Sequence, residues 1–288
     1  MNIGFIGLGV MGLPMAANLV AEGHSLRVHR VKERSRSLLD AGAIAADSPA
    51  DAAAGAEVVI LMLPDSPDVD AVLTGADGVL SGLAPGAIVL DMSSISPSVT
   101  RDLARRTHEA GGRYVDAPVS GGEVGAREGA LTVFVGGEEA DVAEVLPLLE
   151  VMGGRITHMG PVGAGQVTKV ANQVIVGLTI QAVAEGLALA EASGIDPDAV
   201  RKALDGGFAT SRILELHGAR MAARDYTPGF RMRLHRKDLG LALDIADELE
   251  VQTPGAAAVA TQMDAIIAAQ GGELDHSALF RTLREETS

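Results

Sequence analysis

The tightest constraint on this chain is its opening, NIGFIGLGVMGLPMAANLV, where Gly7, Gly9 and Gly12 take G-x-G-x-x-G spacing between an apolar run and a helical pattern. Asn2 to Ile6 reads as a buried strand, the residues after the glycines as a helix, and Ser25 to His29 as a second strand. In a chain with 35 glycines the spacing alone says little, but the β-α-β context makes it specific for a dinucleotide turn. Each glycine has its own physical reason. Gly7 permits the tight turn, Gly9 lets backbone approach a pyrophosphate, and Gly12 lets helix pack closely on strand. Leu8, Val10 and Met11 complete the turn, and the helix start offers free N–H groups and partial positive charge to phosphates.

Dinucleotide turns that take NAD place an acid after the second strand to bond the ribose hydroxyls. Here the chain reads HRVKER, with Arg30 in that place and Lys32 and Arg34 behind it. A basic cluster suits a 2′-phosphate, so NADPH is the expected cofactor and NADH the alternative. An ordinary solvated basic loop would look the same.

Further strands are expected at Val58 to Leu63, Ala87 to Asp91, Arg113 to Asp116, Leu131 to Val135 and Ile156 to Met159, separated by helical or turn patterns. This alternation predicts an α/β fold with a Rossmann-type doubly wound sheet. Ligands of such sheets bind beyond the carboxyl ends of strands, which makes Leu63, Pro64 and Ser94 candidate cofactor contacts. After Gly160 the character changes to helices, beginning with a long one from Gly165 to Gly194. Others follow from Asp196-Pro197, at Arg212 to Arg224, Lys237 to Glu250 and Ala256 to Gln270. The expectation is a cofactor-binding domain over 1–162 and an all-helical substrate and oligomerisation domain over 163–288.

A formal charge of -15 opposes general attraction to nucleic acid or anionic lipid, so neither is an expected partner. Thr179, Gln181 and Glu185 interrupt the apolar stretch Val174 to Ala190, which reads as too short and polar for a clean membrane span. No cysteine is present for disulfides or thiolate ligation. The first strand pattern starts at Asn2 and leaves no room for a leader, so a cytoplasmic protein is expected. Long apolar helices rich in small residues point to a homodimer or homotetramer.

Against this acidic background, basic residues inside glycine-rich motifs stand out. GAGQVTKVANQ puts Lys169, Asn172 and Gln173 on one helical face, where they can converge on a small ligand. Lys169 is one of four lysines, and lysine, unlike arginine, can give up a proton in a dehydrated site. A surface lysine at a helix start is the plainer reading. In DAPVSGGEVGAREG, Ser120, Gly121 and Gly122 offer consecutive backbone N–H groups beside a hydroxyl, a nest for a carboxylate or simply a turn. Arg231, Arg233, Arg236 and Lys237 cluster in TPGFRMRLHRKDLGLALD, where they either serve a ligand or pair with acidic neighbours. His235 and His276 lack partners at metal-ligand spacing and read as structural or surface histidines, so no metal site is expected.

GLGVMGLPMAANL, DAPVSGG, GAGQVTKVAN and GFRMRLHRKDL, in this order along the whole length, resemble the β-hydroxyacid dehydrogenase family. The resemblance implies a Rossmann domain followed by a helical domain, with an anionic small-molecule substrate held between them. It also implies that Lys169 is catalytic with Asn172 beside it. Ser120, Gly121 and Gly122 would hold the substrate, and Lys237 would lie near substrate and nicotinamide. The activity it implies is NAD(P)H-dependent reduction of a small carboxylate-bearing aldehyde, or the reverse oxidation of a β-hydroxy acid such as 3-hydroxyisobutyrate. Glyoxylate and succinic semialdehyde are alternative substrates. A reading of another class is an NADP-binding interaction module without catalysis; retention of Lys169 and Asn172 argues against it.

Overall fold

The computed structural model describes residues 1–283. They divide into two compact units, Met1–Lys169 and the helical remainder from Val170. The first unit holds nine strands: β1 (Asn2–Ile6), β2 (Ser25–His29), β3 (Ile44–Ala46), β4 (Val58–Leu61), β5 (Ile88–Asp91), β6 (Arg113–Asp116), β7 (Val119–Ser120), β8 (Leu131–Gly136) and β9 (Gly153–Gly160). Their order is β3-β2-β1-β4-β5-β6-β8-β7, with β9 paired to β8. β3 through β6 run parallel, whereas β8 is antiparallel to β6 and to β7. The order turns back at β1, so the chain leaves β3 on one flank and returns as β4 on the other. That reversal leaves a crevice at the carboxyl ends of β1 and β4.

The doubly wound expectation is met, with two short strands, β3 and β7, added to those anticipated. Both are too brief to show an alternation of their own. The parallel strands are apolar on both faces because helices cover both. Ile3, Phe5, Val58, Ile60, Ile88 and Leu90 feed one core, while Ile6, Val59, Leu61 and Val89 feed the other. Each of these side chains is 1% exposed or less, and each contributes roughly 1.5–3 kcal/mol by leaving water. Close packing also explains Gly4. A Cβ there would lie 2.4 Å from the Ala52 carbonyl oxygen, so the helix Pro49–Ala53 rests directly on β1.

The second unit is built from the rest of the long helix Ala164–Ala192 and the helices Pro197–Ala203, Arg212–Ala223, Met232–Glu248 and Pro254–Ala268. Ile180, Ala184 and Leu187 of the long helix pack with Met221, Leu239, Met263 and Phe280. The helix starting at Met232 begins earlier than its sequence pattern suggests, because the basic side chains of its first turn mask the periodicity. The long helix also exceeds the apolar stretch seen in the sequence and is, by length and composition, long and apolar enough to cross a membrane. Its polar residues Gln166, Lys169, Gln173 and Gln181 are buried within protein, as in the core helix of a globular domain.

Candidate active site

The three glycines of the first turn separate by what surrounds them. Gly7 has φ +109°, and a Cβ on it would lie 2.2 Å from the Met62 carbonyl oxygen. At Gly12 the same atom would lie 1.9 Å from the oxygen of Gly7. The chain's own packing therefore demands both. Gly9 is different: nothing lies within 4 Å of its Cβ position, so the protein itself leaves that side open. The helix Gly12–Ala21 has no side-chain cap and no acid in its first turn. Leu13 N–H bonds the Gly9 carbonyl at 3.1 Å and Pro14 has no N–H, so what the helix start offers an anion is its dipole and the N–H groups of the preceding turn. The turn thus fits a dinucleotide's pyrophosphate, with Leu8 buried behind it and Val10 exposed beside it.

Arg30 follows β2 in an exposed, left-handed conformation with φ +63°, unusual for a residue with a side chain. The structure adds a role for Arg34 that spacing did not disclose. Its guanidinium donates to the Leu8 carbonyl at 3.2 Å, setting a cation against the glycine turn.

Leu63 and Pro64 follow β4, and Ser94 follows β5, as expected for groups at strand ends. What joins the two loops is the adjacent Ser93, fully buried, whose hydroxyl accepts from the Leu63 N–H at 3.0 Å. Its own N–H donates to Asp91 Oδ1 at 3.0 Å. The pair of serines was visible in DMSSISP, but which one turns inward depends on the backbone between β5 and the next helix. Ser120 ends β7 opposite Thr132 of β8, and Gly121 and Gly122 follow with φ +132° and +62°. Two successive left-handed residues are accessible to glycine alone at little cost, so this segment is a specific turn with its N–H groups displayed.

Lys169 is 7% exposed, which removes the surface reading. It lies in the second turn of the long helix, on the face it shares with Asn172 and Gln173. In the helical unit the polar side chains form a chain of contacts. Asn172 Nδ2 donates to Gln173 Oε1 at 2.8 Å, Gln173 Nε2 donates to Asp238 Oδ2 at 2.6 Å, and Lys237 Nζ pairs with Asp238 Oδ1 at 2.9 Å. Asp238 is 3% exposed and holds Lys237 and Gln173 in register. It was hidden in the sequence as an unremarkable neighbour of a lysine. The arginines of the same segment pair with acids instead: Arg231 and Arg233 with Glu273, and Arg236 with Asp264 at 2.8 Å.

His235 and His276 are buried and cluster with the partly buried His217. His235 Nδ1 lies 2.8 Å from His276 Nδ1, and His276 Nε2 lies 3.3 Å from His217 Nε2. Ligand atoms of His217, Asp275 and His276 come within 4.8 Å of one another, a proximity that sequence separation concealed. Asp275 is already occupied by donors: Ser277 N–H and Oγ–H on Oδ1, and Gly229 and Phe230 N–H on Oδ2. It is a structural anchor for the segment that precedes the helix at Met232.

Comparison with known proteins agrees with this architecture. Residues 2–160 match the NAD binding domain of 6-phosphogluconate dehydrogenase, and residues 163–283 match the NAD-binding domain of NADP-dependent 3-hydroxyisobutyrate dehydrogenase. The chain belongs to the β-hydroxyacid dehydrogenase family, of the 3-hydroxyisobutyrate dehydrogenase type, and is an NAD(P)-dependent oxidoreductase. It is 48% identical to 2-hydroxy-3-oxopropionate reductase of Escherichia coli (strain K12), covering 98% of this chain and 97% of that protein. It is 39% identical to 3-hydroxyisobutyrate dehydrogenase of Pseudomonas aeruginosa over 88% of each chain. Among solved structures it resembles Mycobacterium tuberculosis 3-hydroxyisobutyrate dehydrogenase with L-serine, at TM-score 0.89 and 35% identity over 98% of this chain and 99% of that one.

Proposed function

We propose that this protein reduces a small carboxylate-bearing aldehyde, foremost tartronate semialdehyde to glycerate, using NADPH. The observation that carries the substrate is the 48% identity, along almost the whole chain, to the E. coli 2-hydroxy-3-oxopropionate reductase. NADPH, when bound, would supply the hydride for reduction at the aldehyde carbon. Lys169, as ammonium, gives its proton to the carbonyl oxygen as that oxygen gains charge, and recovers one from solvent afterwards. Its burial strengthens the interaction with a developing alkoxide, since little water competes for it. Asn172 positions the lysine or the oxygen. Ser120 and the N–H groups of Gly121 and Gly122 hold the carboxylate, helped by Lys237, which Asp238 steadies.

Gly7, Leu8, Gly9, Val10, Met11 and Gly12 would hold the pyrophosphate and Arg30 the 2′-phosphate, Leu63, Pro64 and Ser94 would contact the cofactor, and Lys237 would lie near its nicotinamide. Residues 1–162 form the cofactor domain and 163–288 the substrate domain. The enzyme works as a cytoplasmic homodimer or homotetramer; the exposed Ile175 and Leu189 of the long helix support an association surface.

Kinetics with tartronate semialdehyde, succinic semialdehyde, glyoxylate and 3-hydroxyisobutyrate, each with both cofactors, test this reading. Highest kcat/KM on tartronate semialdehyde with NADPH is expected. A preference for 3-hydroxyisobutyrate with NAD would replace it by the dehydrogenase reading that the 39% identical relative favours. Binding of NADPH without turnover of any of them would make the protein a non-catalytic module.

A further inference from the structure

The long helix that carries Lys169 starts at Ala164, directly after Gly163, and has no Ser, Thr, Asp or Asn at the position that normally caps a helix. Its cap comes from elsewhere in the chain. Asp116, the last residue of β6 and fully buried, accepts the Gly163 N–H on Oδ1 at 2.6 Å and the Gln166 N–H on Oδ2 at 2.9 Å. Gln166, 1% exposed, then grips the loop after β5: its Oε1 accepts from Ile95 N–H at 3.1 Å, and its Nε2 donates to the Ser93 carbonyl at 2.8 Å.

The fit around this carboxylate leaves no room for adjustment. A Cβ on Gly165 would lie 2.4 Å from the Phe134 oxygen and 2.8 Å from Asp116 Oδ2, and one on Gly136 would lie 2.5 Å from Asp116 Oδ1. These glycines bring the first turn of the helix onto the sheet edge. Lys169 follows Gln166 by three residues, about 4.5 Å further along a rigid helix. Movement of the first turn is therefore movement of the ammonium.

We infer that Asp116 is a positioning residue for the reduction, its carboxylate fixing through Gly163 and Gln166 the turn that sets the place of Lys169. The inference rests on Lys169 being the proton donor. A neutral acceptor could have capped the helix more cheaply, because burial, and then the charge of Asp91 on the neighbouring strand, raise the Asp116 carboxyl to about 6 against the lowering effect of the Gly163 and Gln166 N–H groups. The other ionisable groups on adjoining elements are Tyr114, whose hydroxyl donates to Asp91, Arg101 beside Gly163, Lys169 itself, and His158 of β9, bonded to the Gly137 and Gly160 carbonyls. Protonation turns one capping oxygen into a donor that faces an N–H, and the turn loses a contact. Turnover therefore fails in acid, although the lysine is the more fully protonated there.

The test is NADPH oxidation at saturating tartronate semialdehyde from pH 5 to 8.5. Wild-type kcat is expected to fall below about pH 6, following the Asp116 carboxyl. Asp116→Asn is isosteric but caps with one oxygen. Its kcat should drop about tenfold to a hundredfold, the size of effect that small misplacement of a catalytic group produces, with KM for NADPH unchanged. Its profile should lose the acid fall. A variant with wild-type kcat, or with the acid fall intact, overturns the inference. If Asp116→Asn does not fold, Gly165→Ala serves instead, with lowered kcat and a retained acid fall expected; wild-type kcat in that variant overturns it equally. Failure of the underlying reading shows separately, as turnover that survives Lys169→Ala.

Discussion

Replacing Asp275 by Asn should destabilise the helical unit by about 3–5 kcal/mol at pH 7, the usual cost of removing one partner from a buried charged network. Asp275 Oδ1 accepts from Ser277 N–H at 3.0 Å and Ser277 Oγ–H at 2.7 Å, and Oδ2 accepts from Gly229 and Phe230 N–H at 2.9 and 3.1 Å. An amide keeps one accepting oxygen, so at least one buried N–H is stranded in either orientation. Each such donor costs about 1–3 kcal/mol. The ion-pair contacts with His217 at 3.5 Å and Arg220 at 3.6 Å are lost as well.

The histidines add to this. His235 Nε2 lies 3.1 Å from the Gln173 carbonyl, His276 Nδ1 2.8 Å from His235 Nδ1 and His217 Nε2 3.3 Å from His276 Nε2, so the three rings are tied in a row. His217 Nδ1 in turn lies 3.5 Å from Asp275 Oδ1, so the carboxylate closes this row of rings.

Burial by itself would push the Asp275 carboxyl up. The His217 contact, the Ser277 hydroxyl and the Phe230 N–H outweigh it and hold the group well below the usual carboxylate range. A depressed acid contributes stability that is present above its unfolded value, ~3.9, and is lost as the pH falls further. The difference between wild type and variant should accordingly be full at pH 7 and shrink below about pH 4. Urea unfolding followed by circular dichroism measures it, provided the m-value is unchanged. A loss under about 1 kcal/mol at pH 7 would show that Asp275 is not the anchor described here.

Other outcomes follow from the same structure. Lys169→Ala should lower kcat by about 10²- to 10⁴-fold with NADPH binding retained, read by fluorescence titration; near-normal turnover removes the lysine from the chemistry. Arg30→Asp should move the ratio of kcat/KM with NADPH to that with NADH towards NADH, and an unchanged ratio removes the 2′-phosphate argument. Gly12→Ala places a Cβ 1.9 Å from the Gly7 oxygen, so it should abolish cofactor binding or folding of the first unit, seen in parallel by titration and thermal melts. Burial, followed by the neighbouring His235 and His217, holds His276 well below the ordinary histidine value, so it favours the fold above about pH 6.5 and ceases to below it. His276→Gln should flatten the acid loss of stability between about pH 6.5 and 5.

Much of the fold was legible because it rests on local pattern. Runs such as Val58–Leu61 and Ile88–Asp91 are apolar on both faces, a pattern that fits parallel strands covered by helices on both sides. β3 and β7 leave no mark in the sequence, since three and two residues carry no period. Motifs singled out Lys169, Asn172, the SGG turn and the dinucleotide glycines as the residues of the proposed site. Ser93, Asp116, Asp238 and the contact of Arg34 with the Leu8 carbonyl were not legible, because each depends on a partner that chain order places far away or on one side of a turn whose direction depends on packing.

The sequence by itself determined the β-α-β start, the change to helices after Gly160 and the presence of one lysine in a glycine-led helix. These follow from spacing and steric rules that act over a few residues. Tertiary structure alone decided that Gly9 stands open while Gly7 and Gly12 are held by backbone contact, that the arginines around the helix at Met232 are spent on Glu273 and Asp264, and that a carboxylate 47 residues away caps the helix of Lys169. A buried polar group must find its partner wherever the fold brings one, and that partner's identity is not written in its neighbours.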